Sequence, residues 1–494
     1  MQLPSCPCTP LYDIAMKRLL CALLIAALSL PAVPDELPEL GDTSSASLSA
    51  QQEQALGRGV MLEIRTDRDY FSDPFTADYL NSLGYRLVAN AGGGGQEFEF
   101  FIVRDSTLNA FALPGGFIGV HTGLLLATEN ESELASVLGH EIAHVTQHHV
   151  ARMIEAQSRN TLPMLAALAL AILAARNSPT TSEAAIVGAQ AGSIQSQINF
   201  TRDNEREADR LGMQTLVKSG FDPRGMATFF ERLQRFTRFY ETNAPAFLRT
   251  HPVTSERIAD IENRLQTLPP HPVPDSIDFQ LMRVRLRTLL ETPRDAVRYF
   301  ESRVTEGADP LAIPQLYGHT LALIRARRFS EAHAELARLQ AKLPEHPLVA
   351  QLAAVLAHDE GKLDAAIVAW QAALARSPDS RGLHYGYAET LLEAGQAQKA
   401  LDFLSQRLQI THNDDELYEL QSRAYAALNR QLLQHRAQAE AYFNQGNISA
   451  AVDQLQIALK SGDGDFYSMS STESRLKELK AILEYDRQQR RGRG

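Results

Sequence analysis

The residue types most suited to catalysis lie in a seven-residue stretch, Leu138-Gly139-His140-Glu141-Ile142-Ala143-His144. Positions i and i+4 of a helix project to one side, so His140 and His144 can present two imidazoles to one cation, usually zinc. Glu141 would then lie beside the metal without binding it, where it can take a proton from water at the metal. The pattern predicts a hydrolytic zinc site, although so short a motif also arises by chance.

A helix has to present these histidines, and the flanking apolar residues support one. They recur at helix-face intervals: Leu134, Ala135, Val137, Leu138, Ile142 and Val145. His148 continues the four-residue spacing and leaves a shifted pair of ligands open, but Glu141 would then lie away from the metal. We expect His149 to be a solvated neighbour.

A zinc site of this kind needs a third protein ligand, and the segment 204–212 offers one. Glu205 and Asp209 are four residues apart and share a helix face, whereas Glu207 points elsewhere. Glu205 can complete a His/His/Glu set, and Asp209 can accept a hydrogen bond from a ligand imidazole. The alternative is a solvated helix on which these charges pair with one another.

The pairing of His-Glu-Ile-Ala-His with a downstream Glu-x-x-x-Asp resembles the HtpX and CAAX-prenyl-protease class of zinc metallopeptidases. Asn109–Gly116, which precedes the histidine helix, is also similar to that class. The resemblance implies a gluzincin-type centre with one Zn²⁺ per chain on His140, His144 and Glu205. It also implies that Asp209 contacts a metal ligand without binding the metal itself.

The segments before the metal helix are predicted to frame the site. Residues 50–92 are typical of helices, and residues 97–128 are strand-like because apolar and polar positions alternate and turn residues follow. The edge formed by Asn109, Ala110 and Phe111 could pair with an extended peptide substrate. The alternative is an ordinary hairpin that supports the helix.

Length and charge limit the classes of protein that remain. A chain of 494 residues exceeds what one hydrophobic core supports, so two or three domains are expected. Its 44% hydrophobic and 22% charged residues are ordinary for a globular protein. The formal net charge of -11 argues against nucleic acid as a partner, since no basic surplus exists to neutralise phosphates.

The first 32 residues are interpreted as an upstream extension followed by a signal peptide. Residues 16–32 have a charged start, Lys17 and Arg18, and then a short apolar core. All three cysteines, Cys6, Cys8 and Cys21, fall in this part, so the mature chain would lack thiols. We expect an exported periplasmic protein, either soluble or peripherally associated with a membrane.

An apolar run at residues 162–175 separates the metal helix from Glu205. It is too short to cross a membrane, because a spanning helix needs about 20 apolar residues. We expect it to form a core hairpin. The functional alternative is a hairpin that covers the cleft or makes peripheral contact with a membrane surface.

From about residue 285 the sequence acquires a period of 34 residues. The segment 361–366 recurs as 395–400, and proline recurs at Pro344 and Pro378. These units resemble tetratricopeptide repeats, whose helix pairs stack on their neighbours. The expected fold is α+β and mostly helical: a gluzincin-type metallopeptidase domain with a small sheet at 46–268, then an all-α repeat solenoid at 285–490. Arg327 occupies the glycine position of the first clear unit.

The order of signal peptide, peptidase domain and repeats resembles the periplasmic β-barrel assembly-enhancing proteases of Gram-negative bacteria. The resemblance implies an endopeptidase and chaperone that acts on unfolded or stalled outer-membrane proteins and contacts the β-barrel assembly machinery through its repeats. The competing hypothesis is a repeat-based binding factor whose metal site is latent or structural. Tyr385, Tyr387, Tyr418 and Tyr425 are its candidate contacts.

His251 is the remaining candidate near the metal. Pro252 restricts it to an extended conformation, and Thr254 or Ser255 can cap the helix that follows. His251 is therefore predicted on a loop, where its imidazole can reach a cleft. It could occupy the fourth position of the metal as a latch, hydrogen bond to the oxyanion, or serve a structural role only.

Overall fold

The structure is a computed structural model that describes residues 49–92, 95–150, 202–239, 246–305 and 309–491. The predicted leader at 1–32 and the apolar run at 162–175 lie outside these residues. Within the described ranges, no helix combines the length and the apolar character that crossing a membrane requires.

The described part of the N-terminal domain contains helices around a small sheet. Its elements, in chain order, are α1 Ala50–Thr66, α2 Pro74–Ala91, β1 Glu99–Val103, β2 Ala110–Leu113, β3 Phe117–His121, α3 Thr122–Ala127, α4 Glu131–Thr146, α5 Arg202–Lys218, α6 Arg224–Phe239, α7 Ala246–Thr250 and α8 Ser255–Gln266.

Local sequence explains where the central helices begin. Asp73 caps α2 by accepting from the amide of Thr76, and Pro74 occupies the first turn, where no amide donor is needed. Asn130 caps α4 in the same way, through the amide of Glu133. The first turn of α4 is acidic, which complements the positive end of the helix dipole.

The sheet has the order β1-β3-β2, with β1 parallel and β2 antiparallel to β3. Strand β2 is therefore an edge strand of this sheet. Residues Thr122–Ala127 form a helix, so the strand-like prediction for 97–128 was wrong at its end. The apolar run Leu124-Leu125-Leu126 lacks alternation, and short runs of this kind do not distinguish helix from strand.

Helix α4 lies in the middle of the first hydrophobic core. Its residues from Glu131 to Val145 are all buried, and apolar side chains from β1, α2, α5 and α6 surround it. A histidine pair on such a helix is shielded from water on most sides.

The second part of the chain consists of paired helices. In chain order they are α9 Ile277–Leu290, α10 Pro293–Thr305, α11 Ile313–Arg325, α12 Phe329–Lys342, α13 Pro347–Asp359, α14 Leu363–Arg376, α15 Arg381–Glu393, α16 Ala397–Leu408, α17 Asp415–Ala427, α18 Gln431–Asn444, α19 Ile448–Ala458 and α20 Phe466–Arg491. The predicted fold class, a mostly helical domain with a small sheet followed by helical repeats, is confirmed.

Four helix pairs, from α11 to α18, carry the 34-residue period. The turns inside them contain Arg327, Gly361, Gly395 and Asn429, and all four residues have positive φ angles. Helix α9 joins the two parts, because Phe279 and Leu286 belong to the first core while Leu281 belongs to the next.

Candidate metal centre

Two glycines allow the two site helices to cross closely. A Cβ atom on Gly212 of α5 would lie 3.0 Å from the backbone nitrogen of His140, and one on Gly139 would lie 3.2 Å from the Gly212 carbonyl oxygen. Larger residues would hold the helix backbones apart. This crossing brings the Glu205 face of α5 against the histidine face of α4.

Four buried side chains converge at the crossing: His140, His144, Glu205 and His251. The Nε2 atoms of His140 and His144 are 3.0 Å apart. Glu205 places Oε1 3.4 Å from Nε2 of His144 and Oε2 3.6 Å from Nε2 of His140. One nitrogen or oxygen from each of the four lies within 4.8 Å of the others, so the group could hold a single metal ion.

The chemistry of this donor set fits zinc. Imidazoles and one carboxylate at a buried site are the ligands that Zn²⁺ takes in hydrolytic enzymes. Burial lowers the pKa of His144 well below its usual value, which favours the neutral imidazole that a metal requires. Burial alone would raise the pKa of Glu205, but the neighbouring histidines, His251 foremost, hold it well below the usual range.

Glu141 is fully buried beside the cluster, and its Oε1 lies 3.6 Å from Nε2 of His251. Burial raises the pKa of Glu141, and the nearby histidines and the backbone amide of Ala112 only partly oppose that effect. A carboxylate with a raised pKa is suited to accept a proton and later release it.

Asp209 lies behind His140, with Oδ1 3.0 Å from Nδ1 of that ring. Arg257 of α8 donates from Nε and Nη2 to Asp209, each at 2.7 Å, and its Nη1 lies 2.7 Å from Oε2 of Glu205. Sequence reasoning missed Arg257, which gave no signal beyond its place in a helix. The sequence offered Thr254 or Ser255 as the cap of helix α8, and the structure shows that Thr254 is the cap.

His251 follows α7 on a short loop and is 1% exposed. Its Nδ1 lies 2.9 Å from Oε1 of Glu205 and 3.4 Å from Nε2 of His140. The ring of Phe247 packs against it with centroids 4.8 Å apart. The imidazole thus lies next to His140, Glu205 and Glu141.

The two histidines that follow the motif differ sharply from each other. His148 is partly exposed, lies outside the cluster and pairs with Glu53 of α1. His149 is fully buried, 2.7 Å from Nδ1 of His144 through its own Nδ1. The expectation that His149 is solvated was therefore wrong, because the chain turns back after α4 instead of continuing into solvent.

The predicted substrate edge lies next to Glu141. Asn109 precedes β2, and Ala110 and Phe111 are its first two residues. The amide of His121 donates to the Asn109 carbonyl, so Asn109 and Phe111 direct their backbone groups at β3. By the same alternation, Ala110 and Ala112 direct theirs away from β3.

Comparison with family models identifies both parts of the chain. Residues 74–265 match Peptidase family M48, and residues 357–424 match a tetratricopeptide repeat. The first match contains the helix crossing, all four members of the cluster and Arg257.

Several curated proteins are similar to the chain. The β-barrel assembly-enhancing protease of Escherichia coli strain K12 is 34% identical over 483 residues, which cover 95% of this chain and 98% of that protein. A putative β-barrel assembly-enhancing protease of Vibrio cholerae is 40% identical over 67% of this chain and 69% of its own length. The mitochondrial metalloendopeptidase OMA1 of Schizosaccharomyces pombe is 33% identical over 38% of this chain and 53% of that protein.

Proposed function

Because this chain belongs to the β-barrel assembly-enhancing proteases, metalloendopeptidases of family M48 with tetratricopeptide repeats, we propose that it is a periplasmic, zinc-dependent endopeptidase and chaperone of outer-membrane protein assembly. Its substrates are unfolded or stalled outer-membrane proteins. The observation that carries the proposal is the buried convergence of His140, His144 and Glu205 beside Glu141.

His140, His144 and Glu205 hold one Zn²⁺ per chain in this proposal. When bound, zinc makes water more acidic and polarises a peptide carbonyl. The Glu141 carboxylate accepts the proton of the attacking water and delivers it to the leaving amine. Asp209 accepts from Nδ1–H of His140 and so keeps the proton off the nitrogen that faces the metal.

The decisive experiment separates the base from the ligands. Glu141→Gln should reduce cleavage of an unfolded client by several orders of magnitude and leave zinc content unchanged, since Glu141 is not a ligand. Glu205→Gln should instead lower zinc content sharply. Unchanged cleavage by Glu141→Gln would contradict the proposal.

Strand β2 aligns the substrate. In this proposal an extended peptide pairs along the outer edge of β2 as an additional strand, next to Glu141. N-methylation of a peptide substrate tests this without altering the protein. Alternate amides should be sensitive to methylation in cleavage assays, whereas equal sensitivity at successive amides would argue against a paired strand.

In this proposal His251 would restrain the resting enzyme as a latch, by binding the metal together with His140, His144 and Glu205 in the place of a water. The proposal is supported by its Nδ1, which points into the cluster, and by the Phe247 ring that holds the imidazole there. His251→Ala should accelerate client cleavage with zinc retained. Slower cleavage with zinc retained would indicate an oxyanion contact instead, and unchanged cleavage would leave a structural role.

The repeats bind clients or the β-barrel assembly machinery. Tyr418, Tyr425 and Arg436 line a cavity of about 370 Å³ between α17 and α18, which offers aromatic and charged contacts. Tyr387 instead belongs to a repeat core, and Tyr385 donates to Asp414. A photoreactive residue at Tyr418 in the Glu141→Gln background should crosslink to assembly partners in cells.

The matched control for that experiment is Val368, which is 64% exposed on α14. Equal crosslinking from both positions would mean that the cavity is not selective. Restoration of outer-membrane assembly by Glu141→Gln would favour the binding role over proteolysis.

The proposed location in the periplasm is supported by the predicted signal peptide at residues 16–32. The proposed peripheral contact with a membrane is supported by the apolar run at residues 162–175. N-terminal sequencing of the protein from a periplasmic extract tests the former.

A further inference from the structure

His149 is brought back to the metal helix by an unusual turn. Along a continuous helix, a residue five positions after His144 would lie about 140° around the axis from it. Helix α4 instead ends at Thr146, and His148 adopts a left-handed conformation with φ of 51°. This reversal places His149, which has no solvent exposure, against the back of the His144 ring.

The nitrogen atoms of His144 have different surroundings. Nε2 faces the cluster, 3.0 Å from Nε2 of His140 and 3.4 Å from Oε1 of Glu205. To bind a cation, this nitrogen needs a free lone pair, so the ring proton belongs on Nδ1. That Nδ1–H group is buried and needs an acceptor, because an unsatisfied buried donor costs about 1–3 kcal/mol.

One proton assignment satisfies the whole chain of contacts. Nδ1 of His149, 2.7 Å away, accepts from Nδ1–H of His144. The proton of His149 then belongs on Nε2, which lies 3.2 Å from Oε2 of Glu207 and donates to that carboxylate. In the opposite tautomer of His149, its Nδ1–H would face the Nδ1–H of His144, so two donors would meet. Its unprotonated Nε2 would then face Oε2 of Glu207, so two acceptors would meet as well.

We propose that His149 and Glu207 form a positioning relay that fixes the tautomer and orientation of His144 for metal binding. The inference rests on the proposed zinc site. It gives Glu207, which shares α5 with Glu205 and Asp209 but projects from another side, a function at the same centre. The two histidine ligands are thereby supported differently: His140 directly by a buried carboxylate, His144 through a second imidazole.

Zinc affinity of the purified full chain tests the relay, measured by competition with a chromophoric chelator. His149→Phe keeps a ring but removes the acceptor and should weaken zinc binding about 10–100-fold. His149→Asn, whose Oδ1 can occupy the place of Nδ1, should restore most of the affinity. The visible spectrum of the Co²⁺-substituted protein should change with His149→Phe and recover with His149→Asn.

Two further variants keep the test decisive. Glu207→Ala removes a partly exposed side chain, so the chain should fold, and zinc binding should still weaken several-fold. His384→Phe replaces another buried histidine, which hydrogen bonds to Pro378 in the repeats, and should leave zinc affinity unchanged. Wild-type zinc affinity and cobalt spectrum in folded His149→Phe, or unchanged affinity in Glu207→Ala, would overturn the relay. Absence of zinc binding by the wild-type chain would instead overturn the proposed function.

Discussion

The imidazoles of His140 and His144 both direct Nε2 toward the cluster, but their Nδ1 atoms lie next to different residues. Nδ1 of His140 faces Asp209, whose charge Arg257 neutralises, whereas Nδ1 of His144 faces His149. Burial alone would raise the pKa of Asp209, but the Arg257 guanidinium holds it below the usual range. Asp209 therefore stays an acceptor for the imidazole of His140.

Arg257 is the residue on which two site carboxylates depend, and Arg257→Lys tests it. A lysine ammonium is a point charge that cannot reproduce the two-pronged contact with Asp209 while also reaching Glu205. We expect zinc affinity to fall about tenfold or more in a chelator competition. The control is Arg264→Lys on the same helix, whose pair with Asp260 is exposed and should not affect zinc. Equal affinities in the two variants would contradict the role of Arg257.

At the scale of elements, the close crossing of α4 and α5 sets the distances within the site. Gly212→Ala should push α5 away from the backbone at His140. We expect a loss of about 1–3 kcal/mol in the free energy of unfolding, together with weaker zinc binding. Gly59→Ala is the control, because nothing lies within 4 Å of its added Cβ on α1. Gly59→Ala should raise the free energy of unfolding by up to about 1 kcal/mol. If Gly212→Ala were instead more stable than Gly59→Ala, Gly212 would not be needed for the close crossing of α4 and α5.

The repeat turns show how a backbone requirement persists when the residue changes. Arg327 adopts φ of 58°, close to the angles of Gly361, Gly395 and Asn429 at the equivalent positions. A left-handed conformation costs a residue with a Cβ atom about 1–2 kcal/mol, and Asn tolerates it better than Arg. The 34-residue unit therefore keeps its turn at Arg327 despite the departure in sequence.

Arg327→Gly should consequently stabilise the chain by about 1 kcal/mol, because it relieves this backbone cost at an exposed position. Urea denaturation measures the gain. Asn429→Gly should yield a smaller increase, since asparagine already tolerates the conformation. A destabilised Arg327→Gly protein would show that contacts of the arginine side chain outweigh the backbone term.

At the scale of the whole molecule, the repeats and the N-terminal domain share a buried ion pair. Arg285 of α9 donates to both oxygens of Asp73, at 2.5 and 2.8 Å, and Nη1 of Arg285 donates to Tyr317 and Gln351 of the repeats. Asp73 also caps α2, which packs against the metal helix α4. Asp73 is therefore one of the contacts that connect the metal-site domain to the repeat array.

Asp73→Asn keeps the cap but leaves Arg285 buried without its carboxylate. We expect a loss of about 3–5 kcal/mol in the free energy of unfolding, measured by urea denaturation at neutral pH. Asp260→Asn, in an exposed pair, should change it by less than about 0.5 kcal/mol.

The same variant has a defined pH dependence. Burial alone would raise the pKa of Asp73, yet Arg285 outweighs it and the pKa is lowered. A depressed pKa contributes stability that is present above the unfolded value, about 4, and is lost as the pH falls through the lower folded value. The difference between the wild type and Asp73→Asn should therefore narrow below about pH 4. A constant difference down to pH 2 would mean that Asp73 acts without its charge.

The sequence by itself determined whatever depends on local period. The spacing of His140 and His144, and that of Glu205 and Asp209, places each pair on one helix face because the α-helix repeats every 3.6 residues. The 34-residue recurrence likewise determined the helix pairs of the repeats, since each pair is a local unit that packs on its neighbour. The helix at Thr122–Ala127 was not predicted, because its short apolar run has neither the period of a helix nor that of a strand.

Only the tertiary structure decided which side chains surround His140, His144 and Glu205. His149 reaches His144 through a left-handed turn, and Arg257 arrives on α8. The sequence predicted His251 on a loop, but only the structure brings that loop to Glu205 and His140. None of these positions follows from spacing along a helix, because each depends on a chain reversal or on the packing of separate elements. Burial raises the pKa of Glu141, and it makes an acceptor necessary for the Nδ1–H group of His144. Burial is likewise a property of the assembled core.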